Sequence, residues 1–281
     1  ALHQNFWHVS RTLLFCSTVF FCPNSLESAF ESEKISPLQN AAGAFPFSLY
    51  ANSLGAISDP TIISNNQSLF SAGSHHRKFG LKSLTQSCFV IGGTFHQYGV
   101  GLGLSRFGNT NYSETQVSIL GGKNYKELVQ IGISLNMYQL SITNYGQAVA
   151  IGSRVTIRYA MGSNVESIIS LLNVNRPVLG QSREKLPQVI ATGFLAKPHD
   201  QIRGQVSLVQ DTEFPISVRL GLIYQPFNQI AIAVGKVHQP NIFTTGGYIH
   251  WKNFRIEIGY LSHANLGLST YQTGISYTRI P

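Results

Sequence analysis

A chain of 281 residues that is 43% hydrophobic but only 11% charged is poor in ions, since soluble domains carry roughly 25% charged residues. Its formal charge of +8 comes from 20 Lys and Arg scattered without a run of five, and no RNA-binding aromatic signature or zinc-finger spacing accompanies them. This excludes nucleic acid as the main partner.

The chain begins with a segment unlike the rest. Arg11 precedes an apolar stretch over 13–22, followed by Pro23 and small or polar residues up to Ala29. That order predicts a secretory signal over 1–29, because the apolar stretch is too short to cross a bilayer as a helix. Two of the three cysteines lie within it, at Cys16 and Cys22, so the exported chain would keep Cys88 alone, with no disulfide and no cysteine-based metal site.

Residues 30–73 show little alternation. Turn formers interrupt them at Asp59-Pro60 and Asn65-Asn66, and Phe45, Phe47, Leu49, Tyr50 and Leu54 offer apolar surface for filling a lumen. A small N-terminal plug or hatch is predicted there. The short cluster His75-His76-Arg77-Lys78 reads as a solvated turn ahead of the first strand.

From 74 to 281 a two-residue rhythm takes over. Phe254, Ile256, Ile258 and Tyr260 alternate with Arg255, Glu257 and Gly259, and Val100, Leu102 and Leu104 alternate with Gly101, Gly103 and Ser105. Each run is a strand with one apolar and one polar face. Segments of this kind are predicted at 78–85, 87–96, 99–107, 115–121, 127–136, 137–145, 148–160 and 165–173. More follow at 188–196, 202–210, 216–225, 229–237, 242–251, 254–262 and 270–280.

With 26 Gly, 17 Phe and 12 Tyr in place of charge, and with short connections, the predicted fold is all-β: an up-and-down antiparallel transmembrane β-barrel of about 14 strands. Tyr224, Phe227, Tyr248, Trp251, Tyr260, Tyr271 and Tyr277 fall near strand ends, as interfacial girdles require. The expected location is the bacterial outer membrane, with its lipid as first partner.

One mid-chain stretch, 172–187, lacks alternation and concentrates Arg176, Arg183, Glu184 and Lys185. It is predicted to be a mid-chain loop or an inward-folded segment, and as a loop a candidate for partner contact. Gly99-Val-Gly101-Leu-Gly103 lacks the Lys-Ser/Thr and the helix of a phosphate loop, and no Gly-x-Ser-x-Gly elbow occurs. No catalytic, cofactor or metal residues are expected, and the protein reads as a non-enzyme.

The turn residues Ser58-Asp59-Pro60 and Asn65-Asn66 resemble the opening of PorV- and PorQ-like outer-membrane proteins, part of the wider FadL-like barrels. Gly103–Gly108 with Tyr112–Gln116, Asn173–Pro177 with Lys185–Pro187, and the closing stretch 266–277 are similar to that family in the same order, so the likeness spans 41–280. The resemblance implies a fourteen-stranded barrel serving type IX secretion as a binding or shuttle component, with secretion-system proteins or secreted cargo as partners. The alternatives are a FadL-like passive channel for a small hydrophobic ligand, with 41–73 as its hatch, and a soluble secreted β-domain.

Overall fold

The computed structural model describes residues 29–30, 36–47, 53–65, 69–126, 128–180, 183–212 and 214–279. The expected signal therefore lies outside the described residues, apart from Ala29.

Fourteen antiparallel strands close into one barrel. They are β1 (Phe70–Arg77), β2 (Thr85–Phe95), β3 (Tyr98–Gly108), β4 (Tyr112–Tyr125), β5 (Val129–Ile142), β6 (Gly146–Ala160) and β7 (Val165–Leu172). A short ribbon follows, β8 (Val178–Leu179) paired with β9 (Glu184–Lys185). The barrel resumes with β10 (Val189–His199), β11 (Ile202–Asp211), β12 (Ser217–Phe227), β13 (Ile230–His238), β14 (Ile242–Trp251), β15 (Phe254–His263) and β16 (Leu268–Thr278). β1 pairs with both β2 and β16, leaving no free edge, as a lipid-embedded sheet requires.

The wall alternates along its strands. In β15, Ile256 and Ile258 are more than half exposed while Glu257 is fully buried. In β3, Val100, Leu102 and Leu104 face out, and Gly99, Gly103 and Ser105 face in. Apolar side chains thus coat the outside and small or polar ones line the lumen.

The two rims differ in their connections. One carries the turns β2–β3, β4–β5, β6–β7, β10–β11, β12–β13 and β14–β15, each of two to four residues, together with both ends of the barrel chain. The other carries the longer 78–84 and 173–188 connections. Short turns mark the periplasmic rim and long loops the extracellular one. Exposed Phe95, Tyr98, Tyr125, Tyr159, Tyr224, Phe227, Trp251, Phe254 and Tyr277 ring the periplasmic rim, the level at which aromatic rings meet lipid headgroups. Tyr260 and Tyr271 pair near the other rim, ring centroids 5.5 Å apart. Tyr248 departs from the expectation: it is buried inside the barrel, with the Arg255 guanidinium over its ring.

Three further differences from the sequence reading have physical causes. The first strand is β1, not 78–85. Residues 78–84 form two 3-10 turns, with Phe79 and Gly80 at positive φ, a geometry that breaks the ladder. The barrel wall consequently starts at Phe70, inside the stretch expected to be plug. The segments 127–136 and 137–145 are one strand, β5, because an inward Asn136 flanked by Leu135 and Met137 continues the alternation without a turn.

Candidate functional site

Most of the described residues that precede β1 pack inside the lumen. Helix α1 (Pro37–Ala41) opens with Ser36 as N-cap: the Ser36 hydroxyl accepts from Gln39 N–H at 3.1 Å, and Gln39 Oε1 accepts from Ser36 N–H at 2.8 Å. This reciprocal pairing with Pro37 in the first turn explains why so short a helix forms there. α1 lies against β13–β16, and wall side chains meet its polar groups. Glu257 Oε2 accepts from Leu38 N–H at 3.2 Å, Asn40 Nδ2 donates to Gln272 at 2.5 Å, and the Thr244 hydroxyl donates to Ala41 O at 2.8 Å. Gln205 Nε2 donates to Ala42 O at 2.7 Å, and Arg219 holds Ala44 O.

After α1, Phe45 and Phe47 are fully buried against Ile168, Ala191, Leu195 and Val209. Leu54, Ala56, Ile57 and Ile63 pack on Phe70, Ala72, Cys88, Val90 and Leu120 of β1, β2 and β4. Cys88 lies buried in that cluster, its thiol donating to the Ser105 hydroxyl at 3.4 Å. Leu49, Tyr50 and Asn66 lie outside the described residues, and Asn65 ends the 3-10 turn Pro60–Asn65.

Asp59 and Pro60 open that turn. Asp59 is fully buried; its Oδ1 accepts from the Thr61 hydroxyl at 2.5 Å and Thr61 N–H at 3.2 Å, while Oδ2 meets Arg158 Nη2 of β6 at 2.8 Å. Arg158 also pairs with Glu166 of β7 at 2.7 Å. Arg154, four residues earlier on the same face of β6, holds Ser58 O. This buried clasp ties the plug to the wall near the periplasmic rim.

Sequence reasoning named Asp59 but missed Arg158 and Glu166. It also read Gly99, Gly101 and Gly103 only as strand glycines. An added Cβ at Gly103 would lie 2.8 Å from Ile57, at Gly122 2.9 Å from Pro60 O, and at Gly259 2.6 Å from Pro37 O. Gly221 and Gly235 likewise leave no room beside Ala42 and Gly43. These five lumen-facing glycines are seats for plug atoms.

Above the plug, toward the extracellular rim, the lumen keeps a cavity of ≈ 200 Å³. Ile57 lies at its base, Leu172, Val189, Val209 and Phe214 form apolar wall, and Tyr138, Arg154, Asp211 and Arg219 supply polar edges. Both arginines are already committed to plug carbonyls. Phe30 also borders the cavity, its ring 4.9 Å from that of Tyr138.

The four charged residues of the 172–187 stretch face different ways. Glu184 turns inward, accepting from Ala29 N–H at 3.0 Å, just as Glu114 accepts from Phe30 N–H at 3.0 Å. Arg176, Arg183 and Lys185 remain exposed. Leu179 and Leu186 are buried beneath the ribbon. Among the described residues no group of three or more His, Cys, Asp or Glu could hold a metal ion.

No protein-family model matches the chain, and no curated protein does. Solved structures do match in fold. The Pseudomonas putida toluene transporter TodX superposes with a TM-score of 0.65 at 11% identity, covering 90% of this chain and 99% of its own. The Ralstonia pickettii toluene transporter TbuX gives 0.63 at 10%, covering 89% and 99%. A Pseudomonas aeruginosa FadL homologue gives 0.60 at 7%, covering 91% and 99%. Closed fourteen-strand wall, apolar belt and aromatic girdle make this chain a bacterial outer-membrane barrel of FadL-like fold.

Proposed function

We propose that the protein is a non-enzymatic outer-membrane channel for passive entry of small hydrophobic compounds, with 36–65 as its hatch and residues 1–29 as its export signal. The observation that carries this reading is the ≈ 200 Å³ cavity between the extracellular mouth and the plug. Apolar cavities of about 150 Å³ are large enough to hold benzene, so a single-ring hydrocarbon fits the space beside Leu172, Val189, Val209 and Phe214. The transporters TodX and TbuX, described as carrying toluene, share the fold and support the same substrate class. A secretion-associated role rests on the sequence resemblance alone, and the geometry adds nothing to it.

The test uses a bacterial host whose lipopolysaccharide leaflet is intact, since that leaflet is what slows hydrocarbons. Expression should speed uptake of labelled toluene, and Val209→Trp, which fills the cavity, should abolish the gain. Unchanged uptake by that variant would remove the cavity from the route. In planar bilayers the intact protein should be nearly silent to ions, and deletion of 36–65 should open steady conductance.

A further inference from the structure

Of the cluster His75-His76-Arg77-Lys78, expected as a solvated turn, only Lys78 lies in a turn; the other three residues end β1. His76 points into the lumen and is buried, while His75 and Arg77 stand on the outer wall at the extracellular end of β1. Register puts His75 opposite Ser87 of β2, and Ser87 opposite Arg106 of β3. His75 Nδ1 lies 3.1 Å from the Ser87 hydroxyl. Lys82 is exposed in the connection directly above. With strands about 4.8 Å apart, His75 and Arg106 sit roughly 10 Å from each other.

Three features give this patch a direction. From Asp59 to Glu114 the chain has no acidic residue between, and the described ion pairs, Asp59–Arg158–Glu166 and Lys197–Asp200, lie elsewhere. The next outward positions toward the membrane, Phe89 and Leu104, are about half exposed and belong to the apolar belt. The cations therefore stand at the line where the belt meets headgroups, on the extracellular side. On the far wall, Lys236 of β13 is the comparable outward cation, and it lies over the Phe243 ring, 3.5 Å from its centroid.

We propose that Arg77, Lys82 and Arg106, with His75 and Ser87 as hydrogen-bonding neighbours, form a binding site for the phosphate groups of lipopolysaccharide in the outer leaflet. Arginine forks match phosphate oxygens in pairs, and each cation adds attraction to an anionic membrane surface. The site rests on the outer-membrane fold and is independent of what crosses the lumen.

The experiment titrates detergent-solubilised, folded protein with rough-form lipopolysaccharide, its dephosphorylated derivative and phosphatidylglycerol, with bound lipid read by native mass spectrometry. Wild-type protein should retain the phosphorylated glycolipid and prefer it to both others. The double variant Arg77→Gln/Arg106→Gln should weaken retention about thirtyfold, and Lys236→Gln should leave it unchanged. Heat-dependent gel mobility confirms that each variant is folded. Equal retention of the dephosphorylated form or of phosphatidylglycerol, an unaffected double variant, or an equal loss in Lys236→Gln would each overturn the assignment.

Discussion

Near the periplasmic rim Gly99, Gly122 and Gly132 let the backbone of residues 60–63 lie directly on the wall; further up the lumen Arg154 and Arg219 reach across to Ser58 O and Ala44 O beside a cavity. Glycine contact gives close backbone packing with no void. Long polar side chains that reach across to carbonyls fix the plug's position while leaving space between. The lower lumen is thus closely packed, and the upper lumen keeps open space. A hatch that moves must break the lower contacts, so their strength sets how often the barrel opens.

The largest expected effect comes from cutting the clasp at its buried arginine. Arg158→Leu strands Asp59, fully buried, without its cation. Breaking a buried pair by removing one partner costs about 3–5 kcal/mol. Part of that cost falls on plug docking, so this variant should show intermittent ion conductance in planar bilayers as well as a lower urea midpoint. Conductance as silent as that of the intact protein would mean the glycine seats alone hold the plug.

Strand positions were legible where lipid faces one side of the wall, because an apolar outer face forces alternation. β1 was missed for the converse reason: its outward residues are Ser71, Gly73, His75 and Arg77, and its apolar residues Phe70 and Ala72 face the plug. Of the apolar residues named for the plug, Phe45, Phe47 and Leu54 are buried, while Leu49 and Tyr50 lie outside the described residues. The glycine seats were not legible, because a lumen glycine looks the same in sequence whether plug backbone or empty space lies over it. Glu184 was read as a loop charge because only the folded chain brings Ala29, 155 residues away, to its carboxylate.

An intermediate effect contrasts the two faces of β15. Ile258 faces lipid near mid-strand, so Ile258→Arg should cost about 2–4 kcal/mol at the bilayer midplane. Its neighbour Glu257 faces the lumen but accepts from Leu38 N–H inside the plug. Glu257→Gln keeps an acceptor and loses the charge, so its cost should be smaller and confined to plug docking. Urea unfolding in lipid vesicles ranks the two; a larger loss for Glu257→Gln would mean that the outer face of β15 is not lipid-covered.

The smallest expected effect is the most direct measure of the seats, and β4 offers it on adjacent residues. Gly121 faces outward, where an added Cβ would find its nearest neighbour, Ile133 O, at 4.0 Å. Gly122 faces inward, where the same atom would lie 2.9 Å from Pro60 O and 3.3 Å from Ser64 N and Cβ. Both are glycines in the same strand, so the entropy that alanine removes from the unfolded chain is the same for each. The difference between the two substitutions therefore isolates contact with the plug. Gly121→Ala should be neutral or slightly stabilising, while Gly122→Ala should lose about 1–3 kcal/mol through overpacking. Removing residues 36–65 should erase that difference, because the barrier at Gly122 is plug backbone and not barrel. If the difference survives the deletion, the glycine serves the curvature of the wall and the seat is incidental.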